Sequence, residues 1–127
     1  PNKYYKKHPA TQTFQALRMY LNNEVEQLIL GLNIASKYLS NGGKLCLVTF
    51  HSIEDRIVKN FFKLVSSKNY VENSDESKIL YQSNRKATKP SSEEVTINKR
   101  SRSAKLRYGT RNKNAHTEIT INQLGYY

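Results

Sequence analysis

The sequence predicts an α/β fold, and three observations carry that reading. A short, almost continuously apolar run from Lys44 to Phe50 follows Gly42-Gly43 and reads as a parallel strand buried on both faces. Directly after it, His51-Ser52-Ile53-Glu54-Asp55-Arg56 opens a helix, because Ile53, Ile57, Phe61 and Leu64 repeat at helical spacing. Upstream, Phe14, Leu17, Leu21, Val25, Leu28, Leu32, Ala35 and Leu39 recur in steps of three and four, which marks an amphipathic face. A strand that hands over to a helix at the edge of an α/β sheet is where ligands bind.

Each element has its own local signals. Pro9 suits a first helical turn, and Asn22-Asn23 before Glu26 predicts a break in the upstream stripe, giving two helices or one kinked helix. Glycine at Gly42-Gly43 permits the left-handed stop. At the second helix start, Ser52 with Asp55 three residues on imitates a capping box. Ser66 to Ser77 is polar and without period, as in a surface loop, and Ile79-Leu80-Tyr81 reads as the start of a short strand. Ser91 and Glu94 have capping-box spacing for a brief helix ending near Lys99. Ala104 to Tyr108 alternates like a half-exposed strand, and Thr117 to Leu124 alternates too, as an extra edge strand or a loose tail.

Composition bounds the function. The 127 residues fall in the one-domain range, and 21 Lys and Arg against 10 Asp and Glu give a net charge of +11, which favours a polyanionic partner such as RNA. The lone cysteine, Cys46, lies in the apolar run, where a thiol acts as a small hydrophobe; it offers neither a disulfide nor a metal pair, and it predicts a reducing compartment. His8, His51 and His116 are too far apart in sequence to share a local zinc motif. No apolar run approaches the ~20 residues that span a bilayer.

Three strings occur in an order that resembles the RsmH (MraW) family. They are His8-Pro9-Ala10-Thr11-Gln12-Thr13-Phe14-Gln15-Ala16-Leu17-Arg18, then Phe50-His51-Ser52-Ile53-Glu54-Asp55-Arg56-Ile57-Val58-Lys59, then Arg102-Ser103-Ala104-Lys105-Leu106-Arg107. The difference noticed is Ile53 where many members have Leu, a volume-conserving exchange. The resemblance implies an S-adenosylmethionine-dependent methyltransferase of N4 of a cytidine in small-subunit ribosomal RNA, with a bacterial cytoplasmic branch and a mitochondrial one. It also implies a fold: the carboxy-terminal half of a Rossmann-like class I methyltransferase sheet with flanking helices. Residues 1–109 would be the carboxy-terminal part of that domain, with 1–22 from its substrate-side helical region, and residues 110–127 an extension.

The family's donor machinery, a Gly-rich loop after a strand and acidic segments beyond it, has no counterpart here, since Gly42-Gly43 precedes a strand instead of following one. The chain starts at Pro1 and its single methionine is Met19, so it reads as a cut piece, a split-gene product or a degenerate remnant. The cofactor-binding residues are therefore expected outside it, on a preceding or separately encoded amino-terminal half. A non-enzymatic basic remnant that binds RNA or protein is the alternative.

The chemistry such a site needs can be stated from the reaction. An exocyclic cytosine amine is a weak nucleophile, so it must be unstacked, held in line with the methyl donor and relieved of a proton. His51 and Asp55 are the catalytic candidates. His8, Thr11, Arg18, Ser52, Glu54 and Arg56 are expected on the substrate side. From Lys99 to Lys113 seven basic residues occur without an acid, and Arg100, Arg102, Lys105 and Arg107 are expected on RNA phosphates, with Tyr108 placed to stack.

Overall fold

A computed structural model describes residues 8–66, 79–83, 86–114 and 118–125. Helix α1 (Ala10–Leu21) stops at Asn22, and Asn23 takes a left-handed conformation (φ 53°) before α2 (Glu24–Tyr38). The expected break is therefore present. After Gly42 (φ 83°) come β1 (Lys44–Thr49), α3 (Ser52–Val65), β2 (Tyr81–Ser83), α4 (Ser92–Ile97), a 3-10 turn (Lys99–Ser103) and β3 (Lys105–Arg111). The loop expected over Ser66 to Ser77 falls outside the described residues after Ser66.

The described strands form one sheet in the order β1-β3-β2, antiparallel throughout. This corrects the expectation of a parallel strand buried on both faces. Among the described residues β1 pairs with β3 alone, its residues alternate between exposed and sheltered, and Cys46 lies exposed instead of acting as a core hydrophobe. A short apolar run fixes neither strand direction nor the number of covered faces.

Because opposed residues share a face, Leu45, Leu47 and Thr49 of β1 lie on the same side as Gly109, Arg107 and Lys105 of β3 and Tyr81 of β2. Helix α3 packs on all three strands. The centre is an edge-to-face cluster of Phe61, Phe62 and Tyr81, with ring centroids 5.3 to 5.9 Å apart. A Cβ on Gly109 would come within 2.8 Å of the Phe62 ring, so only glycine lets β3 approach this cluster. Helix α2 joins from the same side through Val25, Ile29 and Leu32. The Ser36 hydroxyl meets the Tyr81 hydroxyl at 2.9 Å, and Arg111 Nε donates to the Ser36 carbonyl at 3.0 Å.

The upstream apolar stripe is only half buried. Val25 and Leu32 are core, whereas Phe14 and Leu17 on α1 are exposed. The left-handed turn at Asn23 rotates α1 away from the face that α2 buries. Residues 118–125 form neither the extra edge strand nor the loose tail expected: Ile119 and Leu124 are buried, and the segment ends in a 3-10 turn (Asn122–Leu124). Asn33 holds this tail by accepting from Ile119 N–H (2.8 Å) and donating to its carbonyl (2.9 Å).

A cluster of charges around Asp55 ties α3 to the sheet. Arg107 donates from Nε to Asp55 Oδ1 at 2.8 Å and from its terminal nitrogen to Oδ2 at 3.0 Å; Thr49 donates to Oδ1 at 3.3 Å and Lys105 Nζ lies 3.5 Å from Oδ2. Asp55 and Arg107 are both buried. Burial alone would raise the Asp55 pKa, but the hydrogen bonds and charge of Arg107, with Lys105 and Thr49, outweigh it and hold the carboxyl below its ordinary value.

A carboxyl whose folded pKa is depressed stabilises the fold above its unfolded pKa of about 3.9 and loses that contribution as pH falls toward the folded value. Asp55→Asn should therefore cost about 3–5 kcal/mol near neutral pH, because it strands a buried guanidinium. In urea unfolding, the gap between wild type and variant should narrow on acidification below about pH 4. A gap that stays constant into strong acid would show that the pair does not carry this stability.

Candidate functional site

The site is built at the junction of β1 and α3. Phe50 leaves the strand, and His51 adopts the extended conformation of an N-cap (φ −144°, ψ 164°). His51 Nδ1 accepts from the Glu54 N–H at 3.4 Å, and Glu54 Oε2 accepts from the Phe50 N–H at 3.3 Å. This resembles a capping box shifted by one residue from the expected Ser52–Asp55 pair, with Glu54 reaching the N–H of the residue before the cap. Asp55 lies one position beyond N3 and is drawn to Arg107, while Ser52 stays exposed. Since Nδ1 faces an N–H, the ring proton belongs on Nε2, which lies 3.4 Å from Glu54 Oε1.

Glu54 is thus held at both ends of its carboxylate yet is only partly covered, at 31% side-chain exposure against 7% for His51. Both border a hollow of about 580 Å³ together with Arg18, Asn22, Glu24, Gln27, Leu28 and Phe50. The bend at Asn22-Asn23 is what brings Arg18 to this hollow. A second one, of about 520 Å³, lies between α1 and the first turns of α3, lined by Gln12, Thr13, Ala16, Ser52, Ile53 and Arg56.

The expected site residues therefore separate into groups. Arg18, His51 and Glu54 meet in one hollow, and Ser52 and Arg56 lie in its neighbour. His8 and Thr11 belong to neither lining. His8 Nδ1 accepts from the Ala10 N–H at 3.1 Å and its carbonyl accepts from the Thr11 N–H, so both residues serve the start of α1. Asp55 faces the sheet and not a hollow.

Of the four basic residues expected on RNA, Arg100 and Arg102 are exposed in the 3-10 turn and Lys105 is partly covered. Arg107 differs: it is buried and bidentate on Asp55, facing the core and not the surface. Sequence reasoning missed this inward turn. The available signal was the shared parity of Arg107 with Gly109, the residue that admits the aromatic cluster.

Among the described residues no group of three or more His, Cys, Asp or Glu could hold a metal, and no helix is long and apolar enough to cross a membrane. His116 lies outside the described residues. Among the described residues, β1 leads to α3 through Phe50 and His51, so this junction lacks the glycine turn between strand and helix that cradles nucleotide cofactors.

Comparison with known proteins agrees with the motif strings. Residues 1–112 match the MraW methylase family. The chain is 50% identical over 99 residues to ribosomal RNA small subunit methyltransferase H of Wolbachia sp. subsp. Brugia malayi, covering 78% of this chain and 28% of that protein. It is 45% identical over 123 residues to the protein of that name in Ruegeria sp., covering 92% and 37%, and 45% over 109 residues to that of Clostridioides difficile, covering 79% and 34%. The chain thus spans about a third of the length of these relatives. On the family match and these identities together, the chain belongs to the MraW methylase family.

Proposed function

We propose that this chain supplies the acceptor side of a methyltransferase that moves a methyl group from S-adenosylmethionine to N4 of a cytidine in small-subunit ribosomal RNA, in the bacterial cytoplasm. Its three antiparallel strands would be the closing corner of a larger Rossmann-like sheet. The donor is held by the part of the family's polypeptide that this chain does not match, so the chain alone binds no donor. The observation that carries the reading is the paired His51 and Glu54 at the rim of the hollow shared with Arg18.

In this reading the proton acceptor is Glu54. Its carboxylate has exposed surface, while the His51 Nδ1 lone pair is engaged by the helix and Asp55 is a weakened base bound to Arg107. His51 is a positioning residue: its Nε2–H fixes the carboxylate and its Nδ1 caps α3. Arg18 offers a cation to the cytidine's phosphate. Asp55, the other catalytic candidate, orients the helix start without touching substrate.

In an assembled enzyme carrying this segment, Glu54→Gln should lower kcat by about 10²-fold or more with donor affinity unchanged. His51→Asn keeps a capping oxygen but loses the Nε2–H, so it should lower kcat without unfolding α3. The readout is N4-methylcytidine by nucleoside mass spectrometry. Wild-type rates in both folded variants would reduce the junction to architecture.

Arg100 and Arg102 project from the 3-10 turn with no acid in the segment, which supports phosphate contacts. Their joint replacement by Gln should flatten the dependence of log affinity for ribosomal RNA on log salt by between about 1 and 2. Arg107→Gln should instead lower stability and leave the slope alone. An unchanged slope in the double variant would assign the two arginines to solvation.

A further inference from the structure

Phe50 is the residue of the β1–α3 junction that core packing does not account for. Its side chain is 53% exposed, although Thr49 before it and His51 after it are buried. It lines the hollow that holds His51, Glu54 and Arg18, and among the described residues of that lining it supplies the aromatic ring. Helix α2 contributes Gln27 and Leu28 to the same lining, with Leu28 partly buried against the core.

The backbone couples this ring to the carboxylate beside it. Glu54 Oε2 accepts the N–H of Phe50 itself at 3.3 Å, and Oε1 lies 3.4 Å from His51 Nε2. The ring therefore hangs from the residue whose amide anchors the carboxylate, one Cα away from that bond. This relation matches the shape of the acceptor. A base offers its face for stacking, whereas its exocyclic amine lies in the ring plane and points outward from an edge. A base laid on an aromatic ring thus needs its proton acceptor beside that ring and not beneath it.

We propose that Phe50 is the stacking platform for the unstacked cytosine, holding its face so that the N4 amine meets Glu54 edge-on. The inference rests on the methyl-transfer reading and deepens it by naming the residue that positions the base. An enzyme that acts on a base must draw it from the stack and hold it by aromatic contact and by bonds to its edge. Glu54 and Arg18 supply the edge and phosphate contacts in that reading, and Phe50 supplies the face. Phosphate contacts carry most of the affinity for RNA, so loss of the platform is read in turnover and not in binding.

The test uses an assembled enzyme carrying this segment, with N4-methylcytidine in small-subunit ribosomal RNA as the readout. Phe50→Leu should lower kcat by about tenfold to a hundredfold, the effect of removing one base–aromatic stack. Affinity for RNA and for donor should stay near wild type, as should the melting temperature, because the exchange is apolar and at an exposed position. Phe50→Tyr keeps the aromatic face and should retain most of the wild-type rate. Wild-type turnover in folded Phe50→Leu overturns the proposal, and so does an equal loss in Phe50→Leu and Phe50→Tyr or a loss that follows melting alone. Wild-type activity separates the two readings: transfer present with Phe50→Leu unaffected overturns the platform alone, whereas no transfer by the wild-type enzyme overturns both.

Discussion

The Asp55–Arg107 pair is the interaction on which the rest of this structure depends. It joins the first turn of α3 to the middle of β3 across 52 residues of sequence, and Thr49 at the end of β1 binds the same carboxylate. Three elements therefore converge on one buried group. With Asp55 fixed, the start of α3 cannot rotate, and Glu54 and His51 are held toward the hollow on the other side of the helix entry. The pair's burial makes it costly to break, and its bidentate geometry restricts orientation more than a single hydrogen bond does.

This arrangement assigns different tasks to neighbouring carboxylates. Asp55 lies among cations and is kept ionised as a structural anion, whereas Glu54, among the described residues, meets a backbone N–H and a histidine and keeps part of its surface open. The residue that a proton-transfer step requires is the one with a reachable lone pair, and position in the sequence gives no hint of which that is. The basic segment divides in a similar way: Arg100 and Arg102 remain outside while Arg107 enters the core.

Much of the architecture is legible in the sequence. The break at Asn22-Asn23, the stop at Gly42, α3 over Ser52–Val65 and the Ser91 cap of α4 all follow from local signals. Strand direction is not local, and the antiparallel pairing of β1 depends on β3, about 60 residues away. The side of β3 that faces the core was misleading for the same reason. Leu106 and Tyr108 look like the buried set, yet Gly109 and the need of Asp55 for a partner turn Arg107 inward. Of the site, the motif strings named His51, Glu54 and Arg18 as candidates, but that these three line one hollow is visible only in the geometry.

A double-mutant cycle on Asp55 and Arg107 tests the central claim most directly. Asp55→Ala, Arg107→Ala and the double variant would be compared with wild type by urea unfolding near neutral pH. The account predicts a coupling energy of about 2–3 kcal/mol, with the double variant far less destabilised than the sum of the singles. Additive effects, with coupling below about 0.5 kcal/mol, would contradict it.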